Sequence, residues 1–255
     1  MLLHAVVGLA LLAMSPEPAD KLPTCPEGAA WQLVWNDEFE GKVLDPAKWD
    51  VPVYERRGHL WRAENAYLDG EGSLVIETSK VDDRFASACV RTLGKYEKAF
   101  GYFVVRCKLP KEQGHWSAFW MMNGKVGNED GSGRDGTEID IMEWPWRDGR
   151  IQHTLHWDGY GKATQSKGFV SRCPAVLDGG WHTFALWWTP EEYRFYVDGD
   201  EVWRTKAGGV CQNPVYLKLS EEIGDWAGDI TKASLPDRFI IDYVRVYDLK
   251  KDTKH

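Results

Sequence analysis

The segment Gly136-Thr137-Glu138-Ile139-Asp140-Ile141-Met142-Glu143-Trp144 sets three carboxylic acids among apolar neighbours. On a helix the acids would scatter around the axis and act separately. On a strand, Glu138 and Asp140 share one face while Ile139 and Ile141 point to the other. Glu143 then has the wrong parity, five residues beyond Glu138. A β-bulge near Ile141 and Met142 restores it to the acidic face, and bulges recur beside active sites because they re-aim side chains. With the bulge, the two glutamate α-carbons stand roughly 13 Å apart at a rise of about 3.3 Å per residue. Leaning side chains can close this to a carboxyl separation of about 5–5.5 Å, at which one carboxylate attacks an anomeric carbon and the other serves as acid and then base. Three carboxylates in one row repel, so at least one pKa should rise, as a general acid requires. The competing readings are a calcium site and a solvated acidic edge. An exposed edge would not alternate with Ile139, Ile141 and Met142. The nearby Trp116, Trp120, Trp144 and Trp146 suit a sugar face better than a hard cation.

Holding such a row in place takes strands, and the rest of the chain supplies them. Strand-like runs occupy 73–78, 101–109, 181–188, 194–197, 215–219 and 239–247. Several alternate with a period of two, and β-branched and aromatic residues dominate them. Val197-Asp198-Gly199-Asp200-Glu201-Val202 sets Asp-Gly between apolar runs and predicts a hairpin. No window of helical length carries a clean 3.6-residue stripe, and there is no repeat or linker. The prediction is an all-β fold, a β-sandwich jelly roll of two antiparallel sheets.

A chain of 255 residues with 43% hydrophobic and 27% charged residues is one large, well-cored domain rather than a disordered one. Its net charge of −8 and lack of a basic block argue against nucleic-acid binding. The same charge disfavours a polyanionic substrate, unless a local basic cleft overrides the global sign. Fourteen tryptophans exceed what filler needs, which predicts that some form an exposed platform for a flat ligand. Residues 2–14 are an apolar run of signal-peptide length, too short to span a bilayer, and Ser15-Pro16-Glu17-Pro18-Ala19 breaks it. Residues 1–19 therefore read as a signal peptide, against the alternative of a buried N-terminal helix. The mature protein is expected to be free of membrane, secreted or periplasmic. The five cysteines form no C-x-x-C pair, which argues against zinc and thioredoxin-type sites. Cys173 and Cys211, both in proline-flanked loops, are the preferred disulfide pair, with five reduced cysteines as the alternative.

Glu138-x-Asp140-x-x-Glu143 resembles the signature of glycoside hydrolase family 16 in its bulged form, found in laminarinases and many galactan-degrading relatives. Leu33-Val34-Trp35-Asn36-Asp37-Glu38-Phe39, Trp116-Ser117-Ala118-Phe119-Trp120-Met121-Met122 and Ile241-Asp242-Tyr243-Val244-Arg245-Val246-Tyr247 resemble its opening, cleft and closing strands. The match runs in order from about Trp31 to Tyr247. The resemblance implies a concanavalin A-like jelly roll, one catalytic domain over 28–250, and a substrate cleft on the concave sheet. It makes Glu138 the nucleophile, Glu143 the acid/base, and Asp140 the residue that holds Glu138. It assigns substrate contacts to Trp116, Trp120, Trp144, His156 and Arg91, with core tryptophans and a surface arginine as the ordinary alternatives. His153 fits less clearly and reads equally as a satisfied structural histidine. Catalysis in the family requires no cofactor, and a structural calcium away from the cleft would involve Glu38 and Asp242.

Two stretches depart from the laminarinase pattern, 144–149 and Ser220-Glu221-Glu222-Ile223-Gly224-Asp225-Trp226. Both fall where the cleft would be lined, so they bear on the sugar rather than on the chemistry. The leading reading is an exported, monomeric, retaining endo-β-glycanase acting on β-1,3- or mixed β-1,3/1,4-glucan. A β-galactan endo-hydrolase of the agar, carrageenan or porphyran type comes second. A non-catalytic lectin is the reading from another class, but binding alone has no use for two glutamates and an aspartate on one strand.

Overall fold

The computed structural model describes residues 21–251, so the predicted signal peptide lies outside the described residues. Two sheets face each other. The larger runs in the spatial order Asp200–Thr205, Tyr193–Val197, His182–Trp188, Gly101–Lys108, Asp237–Lys251, Leu74–Val81, Arg84–Ser87, His59–Trp61 and Tyr54–Arg56. Ala29–Asp37 joins it at Asp237–Lys251, and Ala66–Leu68 at Leu74–Val81. The smaller runs Gln165–Arg172, Arg150–Trp157 (the histidine strand), Glu138–Trp144 (the acid strand), His115–Met122 (the tryptophan strand), Val215–Ile223 (the lysine strand) and Cys89–Arg91. Pairing is antiparallel as predicted, except where His59–Trp61 lies parallel to Arg84–Ser87. The fold is the predicted concanavalin A-like jelly roll.

Strand alternation builds the core. Phe119 and Met121 of the tryptophan strand, Ile139 and Ile141 of the acid strand, and Leu217 and Leu219 of the lysine strand point between the sheets. They meet Phe103, Val105, Phe184, Leu186, Val244 and Val246 of the larger sheet. Each such fully buried side chain contributes about 1.5–3 kcal/mol. The predicted hairpin forms, with Val197 opposite Asp200 and positive φ at both Asp198 (51°) and Gly199 (78°), the backbone that Asp-Gly tolerates. Gly136 admits no side chain: a Cβ there would lie 2.2 Å from the Lys125 carbonyl carbon, so the chain enters the acid strand by close backbone contact.

The bulge falls where the sequence requires it. Asp140 lies opposite Thr154 and Glu143 opposite Gln152, so Ile141 and Met142 together face His153. On the other side Met142 pairs Phe119 and Asp140 pairs Trp120, again with one residue extra. A bulge disrupts the ladder and endangers a buried carbonyl. Here the Nδ1–H of buried His153 donates to the Ile141 carbonyl at 2.7 Å, and Nε2 accepts from Ser171 Oγ at 2.9 Å. Burial holds the ring pKa down to about 4, so the imidazole is neutral, with one donor and one acceptor nitrogen. His153 is thus the satisfied structural histidine.

Two expectations are corrected. All five cysteines are free, so Cys173 and Cys211 do not pair. Each is held by its own loop: Cys211 Sγ faces the Asn213 carbonyl at 3.6 Å, and Cys173 Sγ faces Ser171 Oγ at 3.8 Å. The tryptophans serve mainly the interior, with Trp49, Trp144, Trp157 and Trp188 in the core cluster. Among the described residues Trp226 is the one exposed tryptophan, at 42%.

His153→Leu should fill the space yet leave the Ile141 carbonyl unpaired, costing about 1–3 kcal/mol of stability by urea unfolding. The sign with pH is fixed. His153 titrates at about 4 in the fold against 6.5 unfolded, so its contribution is present above 6.5 and lost as pH falls toward 4. The gap between wild type and variant should therefore narrow over that interval. Equal stability at neutral pH would remove His153 from the bulge.

Candidate active site

A cavity of 350 Å³ opens on the outer face of the smaller sheet. The acid strand contributes Glu138, Asp140 and Glu143; the tryptophan strand Trp116, Ala118, Trp120 and Met122; the lysine strand Lys218, Ser220 and Glu222. Arg56, Arg57 and Tyr160 complete it. The three acids thus share one face, which is the arrangement that the bulge was expected to produce.

Their charges are not independent. Burial, then the charge of Glu138, pushes Glu143 up to about 8, while the indole N–H of Trp116 donates to its Oε1 at 3.3 Å and opposes the shift. Burial and then the charges of Glu143 and Glu138 raise Asp140 well above the usual carboxylate range. The Tyr160 hydroxyl donates to Glu138 Oε2, and burial followed by that carboxylate raises the phenol pKa. A proton-bearing carboxylic acid beside a glutamate held by a phenol is a pair equipped for acid and nucleophile work.

The predicted contacts divide. Trp116 lines the cavity, edge-on to Trp226 with ring centres 5.3 Å apart. Trp120 also lines it, but its N–H donates to Ser220 Oγ at 2.9 Å and Lys218 Nζ covers its ring at 3.4 Å, so that face is closed to a sugar. His156 stands across from Glu138 and approaches Asp140 Oδ2 through Nε2 at 3.5 Å. Arg91 is outside the cavity lining, at the far strand of the sheet, and is held by Asp50 at 2.7 Å. Trp144 is a correction: it is 2% exposed, packs in the core, and donates to the Pro110 carbonyl at 3.2 Å. The parity that brings Glu143 out sends Trp144 in.

Glu38 and Asp242 border a separate cavity of 410 Å³. Arg245 holds Glu38 at 2.8 Å and Arg106 holds Asp242 at 2.5 Å, so these side chains do not fit a free oxygen cage for calcium. Glu138, Asp140 and His156 offer ligand atoms within 4.8 Å of one another, but burial biases Asp140 toward its protonated form, which binds a metal poorly.

Sequence reasoning missed Tyr160, Arg56, Arg57 and Lys218, whereas Ser220 and Glu222 fall in the stretch 220–226 that was expected to line the cleft. Lys218 was readable by parity, since it alternates with the core residues Leu217 and Leu219 on its strand. Tyr160 and Arg57 reach the cleft from turns and carried no such signal.

Residues 55–245 match the family described as Glycosyl hydrolases family 16. The chain belongs to family 16. This hydrolase is 32% identical to a beta-glucanase of Rhodothermus marinus, over 96% of its own length and 92% of that protein. It is 30% identical to a keratan-sulfate endo-1,4-beta-galactosidase of Sphingobacterium multivorum, over 86% of its own length and 56% of that protein. Among solved structures it resembles the catalytic domain of an endo-1,3-beta-glucanase (laminarinase) from Thermotoga petrophila RKU-1. The TM-score is 0.74 at 31% identity, over 87% of this chain and 99% of the other.

Since Glu143 must hold a proton to act as an acid, kcat/KM should fall as pH rises through about 8. The Trp116 N–H favours the ionised form, so Trp116→Phe should move this alkaline limb to higher pH. A limb that stays put or moves down in the variant would separate Trp116 from the acid.

Proposed function

We propose that this family 16 hydrolase is an endo-β-glycanase that cleaves β-1,3- or mixed β-1,3/1,4-glucan with net retention. The observation that carries the reading is one bulged strand presenting Glu138 and Glu143 to one cavity, with Glu143 poised as an acid at neutral pH. Glu143 protonates the glycosidic oxygen as Glu138 attacks the anomeric carbon; the aglycone leaves and a glycosyl ester forms on Glu138. Glu143, now a carboxylate, takes a proton from water, which attacks the same carbon and releases Glu138. Burial and the charges of Glu143 and Glu138 bias Asp140 toward its neutral form, which lessens the charge it adds to the row. Tyr160 orients the nucleophile through its hydroxyl. No step calls on a cofactor. The glucanase names of the first relative and of the laminarinase neighbour favour glucan.

A β-galactan endo-hydrolase is the second reading, favoured by Lys218, Ser220 and Glu222 in the cavity wall and by the galactosidase among the relatives. In either case the enzyme is proposed to act as a monomer after export, with residues 1–19 removed.

Glu138→Ala should lose at least about three orders of magnitude in kcat while still binding oligosaccharide, because the covalent step is lost and the remaining contacts are kept. Proton NMR in the first minutes of digestion should show the β-anomer before mutarotation. The α-anomer first would mean that the glutamates do not act as this pair. Export is checked separately by N-terminal sequencing of protein from the culture medium or periplasm; an uncleaved chain retained in the cytoplasm would refute it.

A further inference from the structure

The hairpin that carries Arg57 to the cleft also carries His59 into the interior. His59 lies opposite Arg56 on that hairpin and is 2% exposed. Neither its Nδ1 nor its Nε2 has a hydrogen-bond partner among the described residues. Burial, followed by the charges of Arg56, Arg57 and Arg84, holds the ring pKa down to about 4. The imidazole is therefore neutral near pH 7, with one donor and one acceptor nitrogen. Leaving both bare in an interior costs stability, so packing does not account for the residue.

His59 lines a third cavity, of 490 Å³, with Phe85, Ile223, Asp225 and Ile230. Arg57 borders this cavity and the catalytic one, so the two adjoin. They also meet at Gly224, where a Cβ would lie 3.5 Å from the Trp116 ring. Trp116 donates to Glu143, which places the new cavity beyond the Glu143 end of the acid row. Its far wall is fastened by backbone. Gly114 N–H donates to the Ala227 carbonyl at 2.7 Å, and Gly224 N–H donates to the Gly114 carbonyl at 3.1 Å. A Cβ at Gly114 would lie 2.2 Å from Ile230 Cα, so the two chains touch where only glycine fits.

A sugar ring suits this lining. Its C–H face can pack on Phe85, Ile223 and Ile230, while neighbouring hydroxyls accept from one imidazole nitrogen and donate to the other. An anionic group finds less, since Glu222 holds Arg56 at 2.5 Å, Glu55 holds Arg84 at 2.8 Å, and Asp225 stands in the wall. Glu143 protonates the glycosidic oxygen, so a unit lying beyond Glu143 belongs to the leaving part of the chain. We propose that this cavity is a distal subsite for a neutral sugar unit on the leaving-group side, with His59 as its hydrogen-bonding residue. The subsite deepens the proposed function and rests on it for the path of the chain past Glu143.

Binding is measured by calorimetry on the Glu138→Gln enzyme, with β-1,3-gluco- and β-galacto-oligosaccharides from tri- to hexasaccharide. In at least one series, adding His59→Leu should lower the hexasaccharide-to-trisaccharide affinity ratio about tenfold, the loss of one or two hydrogen bonds. The same substitution should leave the urea midpoint equal or higher, because it removes a bare polar ring from the interior. Lower stability with an equal loss at every length would mark His59 as structural and overturn the proposal. Thr231→Trp, at an exposed position of the cavity wall, should lower the ratio by filling the space. In the active enzyme, His59→Leu should move cleavage of a labelled hexasaccharide toward its reducing end, because fewer leaving-side units are held. A ratio unmoved by both substitutions would overturn the subsite, and so would cleavage that stays put or moves toward the non-reducing end. The binding arm involves no turnover, so its failure leaves retaining hydrolysis to stand on the anomer experiment.

Discussion

The hydrogen bond from His153 to the carbonyl of Ile141 is the contact on which the site depends. A strand of strict parity would turn Met142 and Trp144 to the cleft and bury Glu143 between the sheets. One extra residue reverses that order, but it places a buried carbonyl outside the ladder. A carbonyl left bare costs about 1–3 kcal/mol, enough to favour a slipped register. The neutral imidazole removes that cost, and Ser171 fixes its tautomer from the other side. The outward facing of Glu143 and the inward facing of Trp144 therefore depend on one interaction on the hidden face of the sheet.

Once the acids share a face, their repulsion becomes the working material of the site. Burial and neighbouring charge favour the protonated forms of Asp140 and Glu143, which lowers the charge on the strand. The opposite wall carries Arg56, Arg57 and Lys218, of which only Arg56 has a carboxylate partner. The cleft is thus polar across its width, acidic along one strand and cationic on the wall opposite. A chain of net charge −8 can hold such a wall because the field is set locally by residues at the protein–solvent boundary.

The fold and the catalytic row were legible because both rest on parity. Period-two runs gave the sandwich, and three acids with one parity defect gave the bulge to within a residue. Trp144 was misplaced because tryptophan beside an acid was read by type, when the bulge already turned it inward. Trp120 was placed correctly, but nothing in its own sequence neighbourhood reveals that a lysine from another strand covers it. Cys173 and Cys211 were paired on loop character, which carries no distance information, and each loop satisfies its sulfur separately. Tyr160 and Arg57 come from turns, where no periodicity tells which way a side chain faces.

The division between what parity reveals and what it hides is also a division of function. Glu138 and Glu143 stand on an inner strand, locked by ladders on both sides, where a shift of register would cost the whole core face. Arg57 and Tyr160 stand outside the strands, while Lys218 is held by ladders on both sides, opposite Trp120 and Arg91. Substitutions at Arg57 and Tyr160, both exposed, leave the interior packing untouched while changing the surface of the cleft. The acid row is held by the ladder, whereas the wall opposite joins a ladder-held lysine to Arg57 and Tyr160, which the ladder does not constrain.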